Sequence, residues 1–125
     1  MRHADAASGE PDELRSLNAE GRDQARALGE RLRDEGVEPD AVITSPLLRA
    51  RETGNLLCEA LDVTPQTDER LGPGATAEGL REAVAGRGEQ VVVIGHQPDC
   101  GRIVAELSRG EEPAFPPAGM VRIEL

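Results

Sequence analysis

Only two histidines occur in the chain, and each lies in a short polar segment. Arg2 precedes His3, and Gly95 precedes His96. An imidazole can serve as a nucleophile or as a hydrogen-bond donor near neutral pH, because its pKa lies close to that range. A single histidine before a loop is more often structural than reactive, so the residues around the two rings decide between these interpretations.

Arginines near these histidines indicate an anionic partner. Arg49 is expected in the first turn of a helix, where free backbone N–H groups and the helix dipole favour anions. Guanidinium groups add planar, paired donors that suit phosphate. Arg2, Arg49, the two histidines and a helix N-terminus together predict a pocket for a phosphoryl group. No comparable set of carboxylates accompanies them.

Apolar runs and capping residues predict an alternation of strands and helices. Ala41–Thr44 and Gln90–Ile94 are apolar runs suited to buried strands. Asn18 can cap a helix that runs to about Asp34. The other predicted elements are a helix capped by Ser45 with Pro46 at its first position, a short strand within residues 64–71, a helix over about residues 77–85, a helix capped by Asp99, and an alternating strand over residues 121–125.

This alternation predicts a single α/β domain over residues 1–125, with helices on both faces of a mostly parallel sheet. Such a three-layer α/β/α sheet places its sites just beyond the carboxyl ends of its strands. We therefore expect Thr44–Arg49 and Gly95–Asp99 to lie on the same rim.

The charge balance excludes a general nucleic-acid surface. The formal net charge is −10, from 14 basic and 24 acidic residues, whereas phosphate backbones require basic stripes. Every basic side chain is an arginine. An anion site must therefore be a local concentration of arginine and histidine against an acidic background. The acidic run Glu10–Glu13 is interpreted as solvated surface.

Several observations favour a cytoplasmic monomer without a metal. No apolar run approaches the ~20 residues of a membrane span, and no signal-peptide pattern is present. Cys58 and Cys100 fall on the apolar faces of predicted helices, as free thiols in a reducing compartment do. His96 and Cys100 lie four residues apart, but no further ligands follow, and structural zinc needs four.

Three motifs carry a resemblance to a known family. Arg2-His3-Ala4 resembles the Arg-His-Gly/Ala signature of the histidine phosphatase superfamily. Residues 44–53, TSPLLRARET, resemble its second motif, Ser-Pro-x-x-Arg-Ala-x-x-Thr, and residues 95–98, GHQP, resemble its third, Gly-His-x-Pro. The motifs occur in the family's order. Residues 15–21, RSLNAEG, are similar to the Arg-Pro-Leu-Thr-x-x-Gly segment of the small SixA-type phosphohistidine phosphatases.

The resemblance implies a phosphoglycerate mutase-like fold and a phosphatase that needs no metal or cofactor. It implies that His3 is the nucleophile and that Arg2 and Arg49 bind the phosphoryl oxygens. It also implies that His96 donates a hydrogen bond to the transferred group, with a bound dianion favouring protonation of its ring. Arg15 is expected to be a further substrate contact.

The stretch after the second motif bears on the substrate. Larger family members carry a glutamate or aspartate general acid there, but Asp68–Gly74 does not resemble that segment, so the acid is predicted to be absent. Asp68 and Glu69 remain alternatives. An imidazole leaves a phosphoramidate more easily than an alkoxide leaves an ester. The resemblance therefore favours phosphohistidine on a protein, including a phosphorelay histidine domain. A phosphatase of small phosphate esters or sugar phosphates, and a non-catalytic phosphate-binding module, are the alternatives.

The beginning of the chain departs from the family pattern. Family members have a strand of about five apolar residues before Arg-His, within the usual strand length. Here Met1 directly precedes Arg2, so the N-terminal strand is expected to be truncated. This departure is the feature that favours the binding-module alternative.

Overall fold

The computed structural model describes residues 1–125 and has a parallel sheet covered by helices. The sheet has three strands in the order β2-β1-β3. The strands are β1 (Ala41–Thr44), β2 (Gln66–Thr67) and β3 (Val91–Ile94), and the helices are α1 (Ala19–Asp34), α2 (Leu48–Cys58), α3 (Ala77–Val84) and α4 (Asp99–Ser108). Short 3-10 turns cover Asp12–Leu14 and Glu69–Leu71. The predicted α/β class and parallel sheet are confirmed.

The alternation of side chains along the strands builds a core on each face of the sheet. On one face, Val42 and Ile94 pack with Leu28 of α1 and Leu57 of α2. On the other face, Ile43 packs with Leu71 and Ala83, and Val84, Val91 and Val93 pack against that cluster. β1 and β3 pair in register from Ala41↔Val91 to Thr44↔Ile94. The helices therefore lie on both faces, as predicted.

α1 forms as the sequence predicts. The Asn18 side chain accepts a hydrogen bond from the Gly21 backbone N–H at 2.7 Å, which satisfies one free donor of the first turn. Ala25, Leu28 and Leu32 repeat at helical spacing and are buried. The stripe fixes α1 against α2.

The prediction for the start of α2 is wrong by two residues. The helix begins at Leu48, and Leu47 is its N-cap residue, with no side-chain cap. The Ser45 hydroxyl accepts the Leu47 N–H at 3.2 Å, so it closes a turn before the helix. Its other partner, described below, explains why this hydroxyl does not cap α2.

Two further predictions at the end of the chain fail. Pro98, not Asp99, is the N-cap residue of α4, because the buried Asp99 carboxylate accepts the Gly74 N–H at 2.8 Å and pairs with Arg102. Residues 121–125 form no strand. A strand requires backbone hydrogen bonds to a neighbouring segment, and residues 121–125 form none.

The first residues run beside the end of β3. Arg2 forms a parallel bridge with Gly95, the His3 N–H donates to the Gly95 carbonyl at 3.0 Å, and the Met1 carbonyl accepts the Gly95 N–H at 2.9 Å. On the other side, the Arg2 N–H donates to the Gly119 carbonyl at 3.0 Å. These bonds fix the backbone of His3.

No helix combines the length and apolar character needed to cross a bilayer.

Candidate active site

The carboxyl ends of β1 and β3 bring the predicted site residues together. The Ser45 N–H donates to the Ile94 carbonyl at 2.9 Å, and Thr44 pairs with Ile94. Residues 45–49 and 95–99 therefore leave the sheet side by side. The backbone bonds between His3 and Gly95 add the first histidine to this rim. The two histidine ring centroids lie 5.2 Å apart.

Contacts on both nitrogens orient the His3 ring. Nδ1 lies 2.7 Å from the Ala4 carbonyl oxygen, which can only accept, so Nδ1 carries the proton. Nε2 is left with its lone pair, and Arg49 Nε lies 3.3 Å from it. The residue is 9 % exposed. The ring is therefore held as a neutral imidazole whose unprotonated Nε2 accepts a hydrogen bond from the Arg49 guanidinium.

The pKa of His3 is lowered, first because burial disfavours the charged ring. The hydrogen bond to Ala4 raises the pKa in part, and the positive charges of Arg49, Arg2 and Arg15 lower it again. At neutral pH the ring therefore lacks the proton that would block Nε2. A nucleophile requires this state.

His96 is also neutral in this structure. Its pKa is lowered to about 4, first by burial and then by the charges of His3 and Arg49. Its Nε2 lies 2.6 Å from the Ser45 hydroxyl oxygen, and its Nδ1 is buried without a hydrogen-bond partner. The prediction that a bound dianion favours protonation applies to a complex. Without the anion, burial keeps the ring uncharged.

Thr53 connects the segment that contains His3 to α2. Its hydroxyl accepts the Ala4 N–H at 3.0 Å and donates to the Arg49 carbonyl at 2.7 Å, and the side chain is fully buried. The second motif therefore contributes a hydroxyl that holds the two ends of the site together.

Arg49 is bound by a residue that the sequence analysis did not place in the site. Its Nη1 donates to the Asp12 carbonyl at 2.8 Å, and its Nη2 lies 3.1 Å from the Asp12 carboxylate. Arg15 Nη1 donates to the same carboxylate at 3.0 Å. The pKa of Asp12 is lowered by these hydrogen bonds, that from Arg15 first and that from Arg49 second. Glu10–Glu13 is exposed, as predicted, but the contacts of Asp12 with Arg49 and Arg15 were not predicted.

Arg2 is near His3 but bonds elsewhere through part of its guanidinium. Its Nη1 donates to the Phe115 carbonyl at 3.0 Å, and its Nε is buried without a partner. Arg15 also bonds the Ala7 carbonyl through Nε at 2.8 Å, which fixes it in the loop that contains Asp12. The two buried side-chain nitrogens without partners, Arg2 Nε and His96 Nδ1, thus belong to predicted site residues.

The two candidate general acids, Asp68 and Glu69, lie in different environments. The Asp68 carboxylate accepts hydrogen bonds from the Arg70 backbone N–H at 2.9 Å and from Arg70 Nη2 at 2.7 Å. The Arg70 contact holds the pKa of Asp68 below its usual range, so this group is ionised and cannot donate a proton at neutral pH. Glu69 is exposed.

No group of three or more His, Cys, Asp or Glu side chains is placed to hold a metal ion.

Comparison with known proteins places this site in a family. The sequence profile of the histidine phosphatase superfamily (branch 1) matches residues 2–82. The chain is 35 % identical over 121 residues to the phosphohistidine phosphatase SixA of Escherichia coli K12, across 90 % of this chain and 74 % of that protein. A 113-residue match to an uncharacterised protein of a Picosynechococcus species is 34 % identical, across 86 % of this chain and 68 % of the relative.

Solved structures agree with the sequence comparison. The protein histidine phosphatase SixA complexed with tungstate superposes with a TM-score of 0.84 at 30 % identity, covering 94 % of this chain and 80 % of that one. A mycobacterial glucosyl-3-phosphoglycerate phosphatase shares the fold, with a TM-score of 0.69 at 20 % identity across 94 % of this chain and 85 % of that one. The phosphoglycerate mutase-like fold predicted from the motifs is therefore confirmed, and this chain belongs to the histidine phosphatase superfamily.

Proposed function

We propose that this chain is a phosphohistidine phosphatase that hydrolyses the phosphoramidate bond of phosphohistidine on a protein, through a covalent intermediate on His3. The observation that carries the proposal is the state of the His3 ring. Its Nδ1 proton is held by the Ala4 carbonyl, and its unprotonated Nε2 accepts a hydrogen bond from Arg49 Nε at 3.3 Å. Such a ring is oriented for attack on a phosphorus atom bound by guanidinium groups.

The first step transfers the phosphoryl group to His3. The Nε2 lone pair forms a bond to phosphorus while the phosphorus–nitrogen bond to the substrate imidazole breaks. A substrate ring already protonated on its other nitrogen leaves as neutral imidazole. The Nδ1 proton of His3 stays on its ring, so the phosphorylated ring carries a positive charge that the Ala4 carbonyl at 2.7 Å stabilises.

The second step regenerates the enzyme. A water oxygen attacks phosphorus, the bond to His3 Nε2 breaks, and that electron pair returns to Nε2. The water proton passes to solvent, and phosphate leaves. The cationic phosphorylated ring is a good leaving group for the same reason as the substrate ring, so neither step requires a carboxylic acid.

The arginines and His96 act on the phosphoryl oxygens. Arg49 and Arg2 neutralise the negative charge, and the unpartnered Arg2 Nε and His96 Nδ1 are buried donors for those oxygens. Arg15 shares the Asp12 carboxylate with Arg49 and is a further substrate contact. The SixA relative was solved in complex with tungstate, a tetrahedral oxyanion like phosphate, which supports an oxyanion ligand for this chain.

The leaving group decides between the substrate classes. An alkoxide leaving group needs a proton. Asp68 is a poor proton donor, because its hydrogen bond with Arg70 lowers its pKa and keeps it ionised. The SixA relative, named a phosphohistidine phosphatase, supports a phosphoramidate substrate. The alternative, a phosphatase of small phosphate esters or sugar phosphates, is favoured by the shared fold of the glucosyl-3-phosphoglycerate phosphatase.

The partner is therefore a phosphorylated protein, with a phosphorelay histidine domain as one candidate. We place the reaction in a single-domain monomer in the cytoplasm. The free cysteines Cys58 and Cys100 support the reducing compartment. Light scattering after size-exclusion chromatography tests the monomer. A mass of twice 13.3 kDa would contradict it.

The test compares the wild type with His3→Ala on a phosphohistidine peptide and on p-nitrophenyl phosphate. We expect the wild type to prefer the peptide and His3→Ala to lose at least about a thousandfold in kcat. Quenched wild-type enzyme should carry acid-labile phosphate on His3. Preference for the ester would favour the alternative substrate class. Wild-type phosphate binding without turnover would favour a binding module.

A further inference from the structure

Ser45 lies where the chain leaves β1, in direct contact with His96. It is fully buried, and its hydroxyl oxygen lies 2.6 Å from His96 Nε2 and 3.2 Å from the Leu47 backbone nitrogen. The sequence analysis interpreted Ser45 as a helix cap, yet α2 begins at Leu48 without a side-chain cap. The contact with His96 is therefore the feature of this hydroxyl that needs an explanation.

Hydrogen-bond counting assigns the proton between these groups. A serine hydroxyl has one hydrogen to donate and two lone pairs to accept with. The Leu47 N–H occupies one lone pair, and His96 Nε2 is the acceptor that the structure offers to the hydrogen. If Nε2 carried the proton and donated to Ser45, the buried hydroxyl hydrogen would be left without a hydrogen-bond acceptor. Ser45 therefore donates to Nε2.

This assignment fixes the other side of the His96 ring. A neutral imidazole that accepts at Nε2 carries its proton on Nδ1. His96 Nδ1 is buried without a partner, although the ring centroid lies 5.2 Å from that of His3. A buried N–H donor without an acceptor is unfavourable unless a ligand supplies the acceptor. The phosphoryl oxygens of the proposed reaction would supply it.

We propose that Ser45 is a positioning residue that holds neutral His96 in the Nδ1–H tautomer and directs this N–H at a phosphoryl oxygen. The second half of the inference rests on the proposed phosphatase function, whereas the tautomer does not. Because the hydroxyl is tied to the Leu47 backbone, the ring of His96 is oriented by the main chain that follows β1. A residue of the second motif, Ser45, thus orients the N–H donor of His96, which belongs to the third motif.

Nitrogen NMR of histidine-labelled protein tests the tautomer directly. With two histidines in the chain, His3→Gln assigns the signals. We expect His96 Nδ1 to have the shift of a protonated ring nitrogen and Nε2 that of an unprotonated acceptor. The reverse pattern in the wild type would overturn the inference, whatever the enzyme's activity.

Variants test whether the hydroxyl sets this state. Ser45→Ala should let both tautomers of His96 populate and should raise the pKa of His96, because a donor to Nε2 stabilises the neutral ring. Ser45→Cys, similar in size with a weaker donor, should fall between wild type and Ser45→Ala. The control is Thr44→Val, which removes a buried hydroxyl that donates to the Ser45 carbonyl and not to His96. An unchanged His96 titration in Ser45→Ala would overturn the inference.

Kinetics test the catalytic consequence. We expect Ser45→Ala to lower kcat for the phosphohistidine peptide about 10- to 100-fold, with a smaller change in KM and with Thr44→Val close to wild type. A wild-type kcat in Ser45→Ala would contradict the positioning role. If the tautomer is as inferred and the wild type hydrolyses neither substrate, the proposed function fails while the assignment of the His96 proton stands.

Discussion

The protonation state of His3 is set by its immediate surroundings. The Ala4 carbonyl holds the Nδ1 proton, and burial together with Arg49, Arg2 and Arg15 opposes a second proton. In the proposed reaction, the first effect would orient the nucleophile and the second would keep it unprotonated. The arginines proposed to bind phosphate therefore also keep His3 Nε2 free of a proton.

This arrangement predicts that His3 titrates below the usual histidine range. Its pKa is lowered, so the neutral ring persists as the pH falls through 6.5, the ordinary value, and protonation follows only at lower pH. Activity limited by His3 should therefore persist to a lower pH than a histidine of ordinary pKa would allow. Nitrogen NMR titration of the free protein measures the ring itself, without the ionisation of substrate phosphate. A midpoint at or above 6.5 would contradict the prediction.

Thr53 gives a prediction about stability at the site. Replacing it by valine keeps the shape but leaves the buried Ala4 N–H without its acceptor, which should lower the free energy of unfolding by about 1–3 kcal/mol. The control is Thr67→Val, which alters an exposed threonine of β2. Urea denaturation measures both. Equal stability of the two variants would show that the Thr53 bridge adds nothing to the fold.

At the scale of the element, the loop before α1 provides the site with a competitor for phosphate. The Asp12 carboxylate and carbonyl occupy Arg49, and Arg15 binds the same carboxylate. Two of the five N–H donors of Arg49 are therefore directed at Asp12, which competes with an incoming phosphoryl group for the guanidinium. The loop therefore lowers the affinity of the free site for anions while it holds the guanidinium groups in place.

Asp12→Asn should consequently bind inorganic phosphate or vanadate more tightly than the wild type. The side chain of Asp12 is 60 % exposed, so we expect a modest decrease of about threefold in the inhibition constant. Glu13→Gln is the matched control, because it removes the same charge from the neighbouring exposed position. Weaker inhibition of Asp12→Asn than of Glu13→Gln would mean that Asp12 supports anion binding.

The position of α2 depends on close contact with β1. A Cβ on Gly54 would lie 2.6 Å from the Thr44 Cγ2, closer than side-chain atoms approach one another. Gly54→Ala should therefore displace α2, which carries Arg49, and destabilise the fold by about 1–3 kcal/mol. Asn55→Ala changes the next, exposed residue of the same helix and serves as the control. Urea denaturation and kcat are the measurements, and a fully stable, active Gly54→Ala would contradict the argument.

Local and periodic signals could be read from the sequence, and contacts between distant residues could not. The Asn18 cap and the apolar runs of β1 and β3 depend on neighbours within a few residues, so they were predicted. Asp12 contacts Arg49 across 37 residues, and Ser45 contacts His96 across 51. The i,i+3 spacing of Asp12 and Arg15 was the one local signal of the first contact.

The two wrong predictions, the Asp99 cap and the strand over residues 121–125, also depended on contacts with distant residues. Asp99 has the residue type of an N-cap, but its carboxylate bonds the Gly74 N–H, 25 residues away. Alternation over residues 121–125 suits a half-exposed strand, but a strand also requires a partner, and that segment has no backbone hydrogen bonds. Each outcome depended on what the rest of the fold offered as a partner.

At the scale of the whole molecule, the site is a local cluster of cationic side chains in an acidic protein. The net charge is −10, whereas Arg2, Arg15 and Arg49 converge near His3. At long range the protein repels an anionic partner, and only at short range do the guanidinium groups attract the phosphoryl group. Binding of a partner should therefore depend on charges outside the phosphorylated residue.

Two phosphohistidine peptides, one flanked by lysines and one by glutamates, should respond to salt in opposite directions. Between about 10 and 150 mM ionic strength the screening length falls from about 30 to 8 Å, which weakens interactions with the protein's net charge more than contacts inside the pocket. We expect kcat/KM to fall with salt for the lysine-flanked peptide and to rise for the glutamate-flanked one. Neutral flanks provide the control for screening within the site. A fall for all three peptides would mean that the arginine cluster, and not the net charge of the molecule, governs encounter with the substrate.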